Sequence, residues 1–238
     1  MGTAPIIITG GGSRLGFFTA MALQQDGHQV IITYRKSREE LKQLEDAGVV
    51  CMQADFSTQS GIDVFLQAIK TQYSSLRGII HNASEWLEEG ECEPHILMEK
   101  VWQIHMNVPY QLNMALAELL QNNASTGAYS DIIHITDYVA ENGSTHHIAY
   151  AASKAGLANL TLSFAKRFAP RVKVNSLAPA LLAFNESDDL EYRQERLKKS
   201  LLKVEPGFDE AIKGIRFILQ SNYMTGRALA LDGGRHLV

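Results

Sequence analysis

Apolar residues along this chain fall into two alternating kinds of run, short ones rich in isoleucine and valine and longer ones with helical spacing. The short runs Ile6–Thr9, Val30–Tyr34, Val49–Gln53, Gly78–His81, Ile132–Thr136, Val172–Ser176 and Ala228–Leu231 predict seven strands. Between them, Leu15–Gln25, Arg38–Asp46, Gly61–Gln72, Leu97–Leu120, Tyr150–Phe168 and Glu210–Gln220 predict helices with one apolar face. Regular alternation of strand and helix predicts an α/β fold, a doubly wound parallel sheet with helices on both faces. The polar stretch Asn122–Ser130 reads as a surface loop. Pro179–Pro206 is the least regular region, an apolar patch at Leu181–Phe184 followed by the charged Glu186–Lys199. Ligands of such sheets bind at the carboxyl ends of the strands, so this segment is expected to cover one. An exposed amphipathic helix is the plainer alternative, and the charged run reads as its solvated face.

The chain has 238 residues, 45% of them hydrophobic, enough for one substantial core and a single domain over its whole length. A formal net charge of -4 gives no global pull toward nucleic acid or an anionic membrane, so the expected partner is a small molecule. No apolar stretch is long enough to cross a bilayer. Met1–Pro5 leaves no room for an export signal before the first strand. Cys51 and Cys92 lie in neither a pairing nor a metal-binding spacing, and a reducing cytoplasm fits best. His146 and His147 have no spaced partners and read as loop residues; His81, His105 and His134 read as core or edge groups. No metal is expected.

Thr9–Gly16 reads TGGGSRLG, directly after the first strand and opening the first helix. In that position glycines let the backbone approach a pyrophosphate, and the helix N-terminus offers unpaired N–H groups with partial positive charge. A tight strand-to-helix turn explains the glycines alone; the context argues for phosphate. The second strand of an NAD-selective fold ends in an acidic residue, whereas here the corner reads Tyr34-Arg35-Lys36-Ser37. Two cations and a hydroxyl suit a 2′-phosphate, which favours NADPH, and Arg14 offers a further cation near the same phosphate. Tyr150 and Lys154 are spaced i, i+4 on one helix face, where an ammonium is expected to lower the tyrosine pKa from about 10.

The order of motifs resembles the short-chain dehydrogenase/reductase family from end to end. TGGGSRLG is followed by Asp55 after the third strand, His81-Asn82-Ala83 after the fourth, Asn107 in a long helix, Tyr150-Ala-Ala-Ser-Lys154, and Asn175-Ser-Leu-Ala-Pro179. The resemblance implies a Rossmann-like fold using NADPH/NADP, with Tyr150, Lys154, Asp137 and Asn107 as catalytic residues. Lys154 would also grip the nicotinamide ribose, and Asn107 a water-linked proton path. Gly10, Arg14, Leu15, Tyr34, Arg35, Ser37, Asp55, Phe56, Asn82, Ala83, Ser84 and Pro179 would complete the cofactor site, Asp55 meeting the adenine.

Two departures from that family pattern are informative: Arg14 stands where the turn usually has glycine, and Asp137 replaces the usual serine thirteen residues before Tyr150. Both resemble the pteridine-reductase branch, where a ring imine needs a proton on nitrogen and an aspartic acid can take part. Asp137 is expected to have a raised pKa if desolvated. Ser84, Trp86, Asp137 and Tyr150 would meet the substrate, Trp86 stacking on a planar bicycle, although a lone tryptophan also serves as packing. The runs Ile132–Tyr138, His147–Lys154 and Leu231–His236 are similar to the bacterial dihydromonapterin reductases. That resemblance implies NADPH-dependent reduction of 7,8-dihydromonapterin to tetrahydromonapterin with secondary dihydrofolate reduction. It also implies a homotetramer, with the C-terminal tail at an interface and Arg235 or His236 near a neighbouring site. A general carbonyl or quinone reductase, and a non-catalytic NADPH-binding regulator, remain the alternatives.

Overall fold

Ile6, Ile7 and Ile8 are all fully buried, yet they pack on opposite sides of one sheet, because successive side chains of a strand point to opposite faces. That alternation organises the computed structural model, which describes residues 4–124 and 127–238. The strands are β1 (Ile6–Ile8), β2 (Val30–Tyr34), β3 (Val50–Gln53), β4 (Gly78–His81), β5 (Ser130–Ile135), β6 (Val172–Pro179) and β7 (Ala228–Leu231). All pair parallel in the order β3-β2-β1-β4-β5-β6-β7. Sequence order reverses direction between β1 and β4, which opens a crevice above the carboxyl ends of both strands.

The helices are α1 (Arg14–Gln25), α2 (Glu40–Asp46), α3 (Gln59–Gln72), α4 (Pro94–Trp102), α5 (Val108–Ala115), α6 (Ala117–Ala124), α7 (Val139–Asn142), α8 (Ile148–Phe168), α9 (Leu190–Leu197) and α10 (Phe208–Gln220). Ile7, Phe65, Ile69, Leu112, Ile132 and Phe164 join α3, α5 and α8 to one face of the sheet. Ile6, Ile8, Leu15, Leu23, Ile133 and Ile215 join α1 and α10 to the other. Thr58 caps α3, its hydroxyl accepting from the Gly61 N–H at 3.1 Å.

The seven predicted strands and the doubly wound topology are present. The single helix expected over Leu97–Leu120 is not: α4, a π-turn at Gln103–Asn107, α5 and α6 occupy that stretch. Pro109 gives the physical reason, since its ring cannot sit beneath the carbonyl four residues earlier in a regular α-helix. The loop expected at Asn122–Ser130 is shorter, because α6 runs to Ala124 and β5 starts at Ser130; its residues 125 and 126 lie outside the described residues, as do residues 1–3 of the N-terminal stretch. In Pro179–Pro206, α9 is a helix with no buried residue, matching the solvated face read from its charge.

Candidate active site

The glycine turn is built by close backbone approach. Gly10 has a φ of +66°, and a Cβ there would lie 2.8 Å from the Ala83 Cα; on Gly16 it would lie 2.4 Å from the Gly10 carbonyl. Asn82 braces the turn, its side-chain amide donating to the carbonyls of Thr9 (3.1 Å) and Gly10 (3.0 Å). The Thr9 hydroxyl accepts from the Asn82 and Ala83 N–H groups, both at 3.0 Å. These contacts leave the N-terminus of α1 open toward a cavity of about 1200 Å³ that runs from the β2 corner to Tyr150. Pockets for one drug-sized molecule span roughly 300–1,000 Å³, so the cavity accommodates a dinucleotide and a second small molecule together.

Gly10, Arg14, Leu15, Tyr34, Arg35, Phe56, Asn82, Ala83, Ser84, Lys154 and Pro179 all line this cavity. Ser37, Asp55 and Asn107 do not line it. Asp55 is turned onto its own loop, accepting from the Ser57 hydroxyl (2.7 Å) and N–H (3.0 Å), bonds that hold its carboxyl below the usual range. Asn107 lies in the π-turn, where its amide donates to Gln103 (2.8 Å) and its oxygen accepts from Gln111 (3.1 Å). At the β2 corner Lys36 and Arg38 line the wall where Ser37 was expected, so the basic character there is greater than the Arg35-Lys36-Ser37 reading. Arg14 takes a different direction from the one expected. Its guanidinium donates to Asn185 Oδ1 at 2.6 Å and the Ala183 carbonyl at 3.0 Å, engaging the 181–185 segment instead of the β2 corner.

At the other end of the cavity, Asp137 and Tyr150 meet directly. The Tyr150 hydroxyl donates to Asp137 Oδ2 at 3.0 Å, while Asp137 Oδ1 accepts from the Val139 N–H at 2.9 Å. Burial raises the Asp137 carboxyl above the usual carboxylate range, as the sequence led us to expect. The expectation for Tyr150 is corrected: burial first, then the Asp137 carboxylate, raise its phenol well above the ordinary value. Lys154 does not reverse this, because its ammonium lies 5.5 Å from the Tyr150 ring centroid and donates to the Ile135 carbonyl at 2.8 Å. Burial pushes that lysine itself down to about 8. Tyr150 therefore keeps its proton as a phenol that donates to Asp137, and the carboxyl is the more acidic member of the pair.

Ser84 belongs to a chain whose polarity is fixed from its far end. The Ser153 hydroxyl donates to the Tyr150 carbonyl at 2.7 Å, since a carbonyl only accepts. His105 Nδ1 must then donate to Ser153 (2.8 Å), which leaves Nε2 to accept from the Ser84 hydroxyl (2.7 Å). Burial keeps the His105 ring neutral by lowering its pKa well below the ordinary value. Ser84 consequently turns only acceptor lone pairs toward the cavity. Trp86 closes the wall, with its ring centroid 4.6 Å from that of Tyr150.

This geometry has relatives. Residues 4–193 match the family model for short chain dehydrogenases. The chain belongs to the short-chain dehydrogenase family. It is 50% identical over 234 residues to proteins named dihydromonapterin reductase from Citrobacter koseri and from Escherichia coli strain K12, covering 98% of this chain and 97% of each relative. Among solved structures, an alternative dihydrofolate reductase from Brucella canis complexed with NADP superimposes with a TM-score of 0.86 at 24% identity, covering 99% of this chain and 94% of that one. An NADP complex of RhlG from Pseudomonas aeruginosa gives a TM-score of 0.89 at 24% identity, covering 98% and 97%. At that identity the two structures speak for the fold.

Several cavity residues of this short-chain dehydrogenase escaped the sequence reading. His147, read as a loop residue, packs its ring 4.0 Å from Trp86 and hydrogen-bonds the Leu87 carbonyl through Nδ1 at 3.0 Å. Its signal was available: three residues before Tyr150 lies one helical turn away on the same face. His105 is buried as expected, but it serves the site by holding Ser84. Arg235, expected near a neighbouring subunit, lines its own chain's cavity, and His236 Nδ1 is bonded to Asp232 at 2.6 Å. His81 and His134 are core groups as read, linked through Asn113 at 2.7 and 3.2 Å. Among the described residues, no group of three or more metal-ligating side chains is placed to hold a metal ion.

Proposed function

We propose that this short-chain dehydrogenase is an NADPH-dependent reductase of dihydropterins, converting 7,8-dihydromonapterin to tetrahydromonapterin and reducing dihydrofolate as a secondary activity. The observation that carries the reading is the Tyr150–Asp137 contact beneath Trp86, where a buried carboxyl raised in pKa stands in the family's usual serine position. The relatives named dihydromonapterin reductase at 50% identity support it. The open N-terminus of α1, the close glycine packing and the cationic β2 corner fit NADPH. When bound, NADPH supplies the hydride for C6 of the dihydropterin. The chain's own residues then orient the ring and hold protons. Trp86 offers a stacking face, Ser84 accepts from a ring or amino N–H, and Tyr150 with Asp137 presents a proton beside N5. Lys154 grips the nicotinamide ribose, and the whole chain works as one domain in which residues 179–206 cover the substrate. Leu182, Asn185 and Tyr192 in the cavity wall support that role.

The working form is proposed as a cytoplasmic homotetramer. Free thiols at Cys51 and Cys92 suit a reducing compartment. The edge strand β7 has exposed Ala228 and Ala230, and Phe217 and Tyr223 beside it are also exposed, a surface suited to a second copy. The substrate reading is tested by nicotinamide oxidation with purified protein and dihydromonapterin, dihydrofolate or a generic ketone, using NADPH and then NADH. Turnover of the dihydropterins with NADPH is expected. Ketone reduction without pterin turnover would replace it with a general carbonyl reductase.

A further inference from the structure

Two guanidinium groups in the cavity wall stand without a carboxylate. Arg196, near the end of α9, lies 5.3 Å over the Tyr192 ring, and Arg235, in the C-terminal 3-10 turn Arg235–Leu237, lies 4.8 Å over Tyr138. Both line the cavity and are half-buried. Among the described residues neither has a salt bridge or a side-chain hydrogen bond. Nearby acids are engaged elsewhere: Glu195 pairs with Lys198 at 2.5 Å, Asp232 with His236 at 2.6 Å, and Asp189 caps α9 through the Tyr192 N–H at 2.8 Å. Asp188 and Glu205 accept from the N–H groups of Asn185 and Phe184, each at 2.8 Å. Stacking on tyrosine rings holds the two guanidiniums in place while leaving their N–H groups in the ring plane unfilled.

The backbone brings these two side chains together. Leu202 donates its N–H to the Gly233 carbonyl at 3.0 Å, and a Cβ on Gly234, whose φ is +79°, would come within 3.0 Å of Leu201. The stretch after α9 therefore docks on a glycine turn that a larger residue would strain, and Arg196 and Arg235 share one wall. Lys199 adds a third positive charge; burial and the two arginines lower its pKa, with Glu195 opposing. The charge of Arg235 also reaches Asp137, which places it at the Tyr150 end of the cavity, away from the β2 corner.

We propose that Arg196 and Arg235 form an anion-binding subsite at the substrate end, which takes a carboxylate or phosphate carried on the side chain of a dihydropterin. This deepens the dihydropterin reading and rests on it. Planar forks with free N–H groups bind such oxyanions bidentately, and each charge-assisted pair is stronger than a neutral hydrogen bond. A substrate with a neutral polyhydroxylated chain gains little from them, whereas the glutamate of dihydrofolate places carboxylates beyond the ring. The subsite thus sets the balance between the two substrates.

The test compares the protein with Arg196→Gln, Arg235→Gln and the double variant. The ratio of kcat/KM for dihydrofolate over that for dihydromonapterin is expected to fall about tenfold in the double variant. Lysine at both positions should restore part of the ratio. An unchanged ratio overturns the subsite. A loss shared equally by both substrates, with weaker NADPH binding, assigns the cations to cofactor phosphate and overturns it as well. Binding of folate and of an uncharged pterin to the NADP-loaded protein, read by tryptophan fluorescence, gives the same comparison without turnover. If neither dihydropterin is reduced but folate selectivity in binding still depends on both arginines, pterin reduction fails and the subsite stands.

Discussion

The sheet carries buried ionisable clusters at both ends, and they are built on opposite plans. At the amino end of β5, Asp131 is almost fully buried between Arg77 and Lys173, with Lys173 at 2.9 Å. Those cations also donate to the last carbonyls of α10: Arg77 to Leu219 at 3.1 Å and Lys173 to Ile218 at 3.0 Å. Positive charge at a helix C-terminus is favourable there, and the cluster is closed. At the carboxyl end of the same strand, Tyr150 and Lys154 are buried and Asp137 is half-buried; Asp137 and Tyr150 line a cavity, and no cation is hydrogen-bonded to the carboxylate. A closed ion cluster holds elements together; an open one keeps protons poised for something that enters. Charge burial alone does not mark a site, and the cavity beside it does.

Substitutions separate the two plans. The largest expected effect is Tyr150→Phe, which should cut kcat for dihydropterin reduction about 10²–10⁴-fold and leave the thermal midpoint nearly unchanged. Asp131→Ala should do the reverse, costing about 3–5 kcal/mol in denaturant unfolding by leaving two cations unpaired, with near-normal kcat for whatever remains folded. A smaller effect is expected from pH. Because burial lowers Lys154 to about 8, it is charged below that value and neutral above it, so a rate that needs the ammonium should fall as pH rises through about 8. Smallest is His105→Leu, which frees the Ser84 hydroxyl to rotate; losing one oriented acceptor, worth about 1 kcal/mol, should raise KM for the dihydropterin several-fold while kcat moves less.

The comparison also explains what could be read from the residues alone. Strand and helix order was legible because buried parallel strands such as Ile6–Ile8 and Val30–Ile32 are continuous apolar runs, and the motifs at Gly10–Gly16 and Tyr150–Lys154 are local in sequence. Contacts between distant segments were not. Arg77 and Asp131 lie 54 residues apart, and Arg14 reaches Asn185 across 171, so nothing in either neighbourhood announces the pair. The direction of the Tyr150 shift was misjudged for a related reason. Spacing puts Lys154 on the tyrosine's helix face, but only the fold shows that Asp137 receives the hydroxyl and that a strand carbonyl takes the ammonium. The break in the Leu97–Leu120 helix was signalled by Pro109, whose effect spread over a π-turn instead of ending the helix.

The most direct test is Asp137→Asn, measured as kcat for dihydropterin reduction across pH beside the thermal midpoint. Because burial raises the carboxyl's pKa in the fold, ionising it costs stability as pH rises through that value, and the neutral amide should leave the midpoint at pH 8 unchanged or higher. The account predicts that kcat falls at least about 10²-fold and that its dependence on the Asp137 proton disappears. Full activity at every pH would contradict it, and would make Asp137 another structural carboxylate like Asp131.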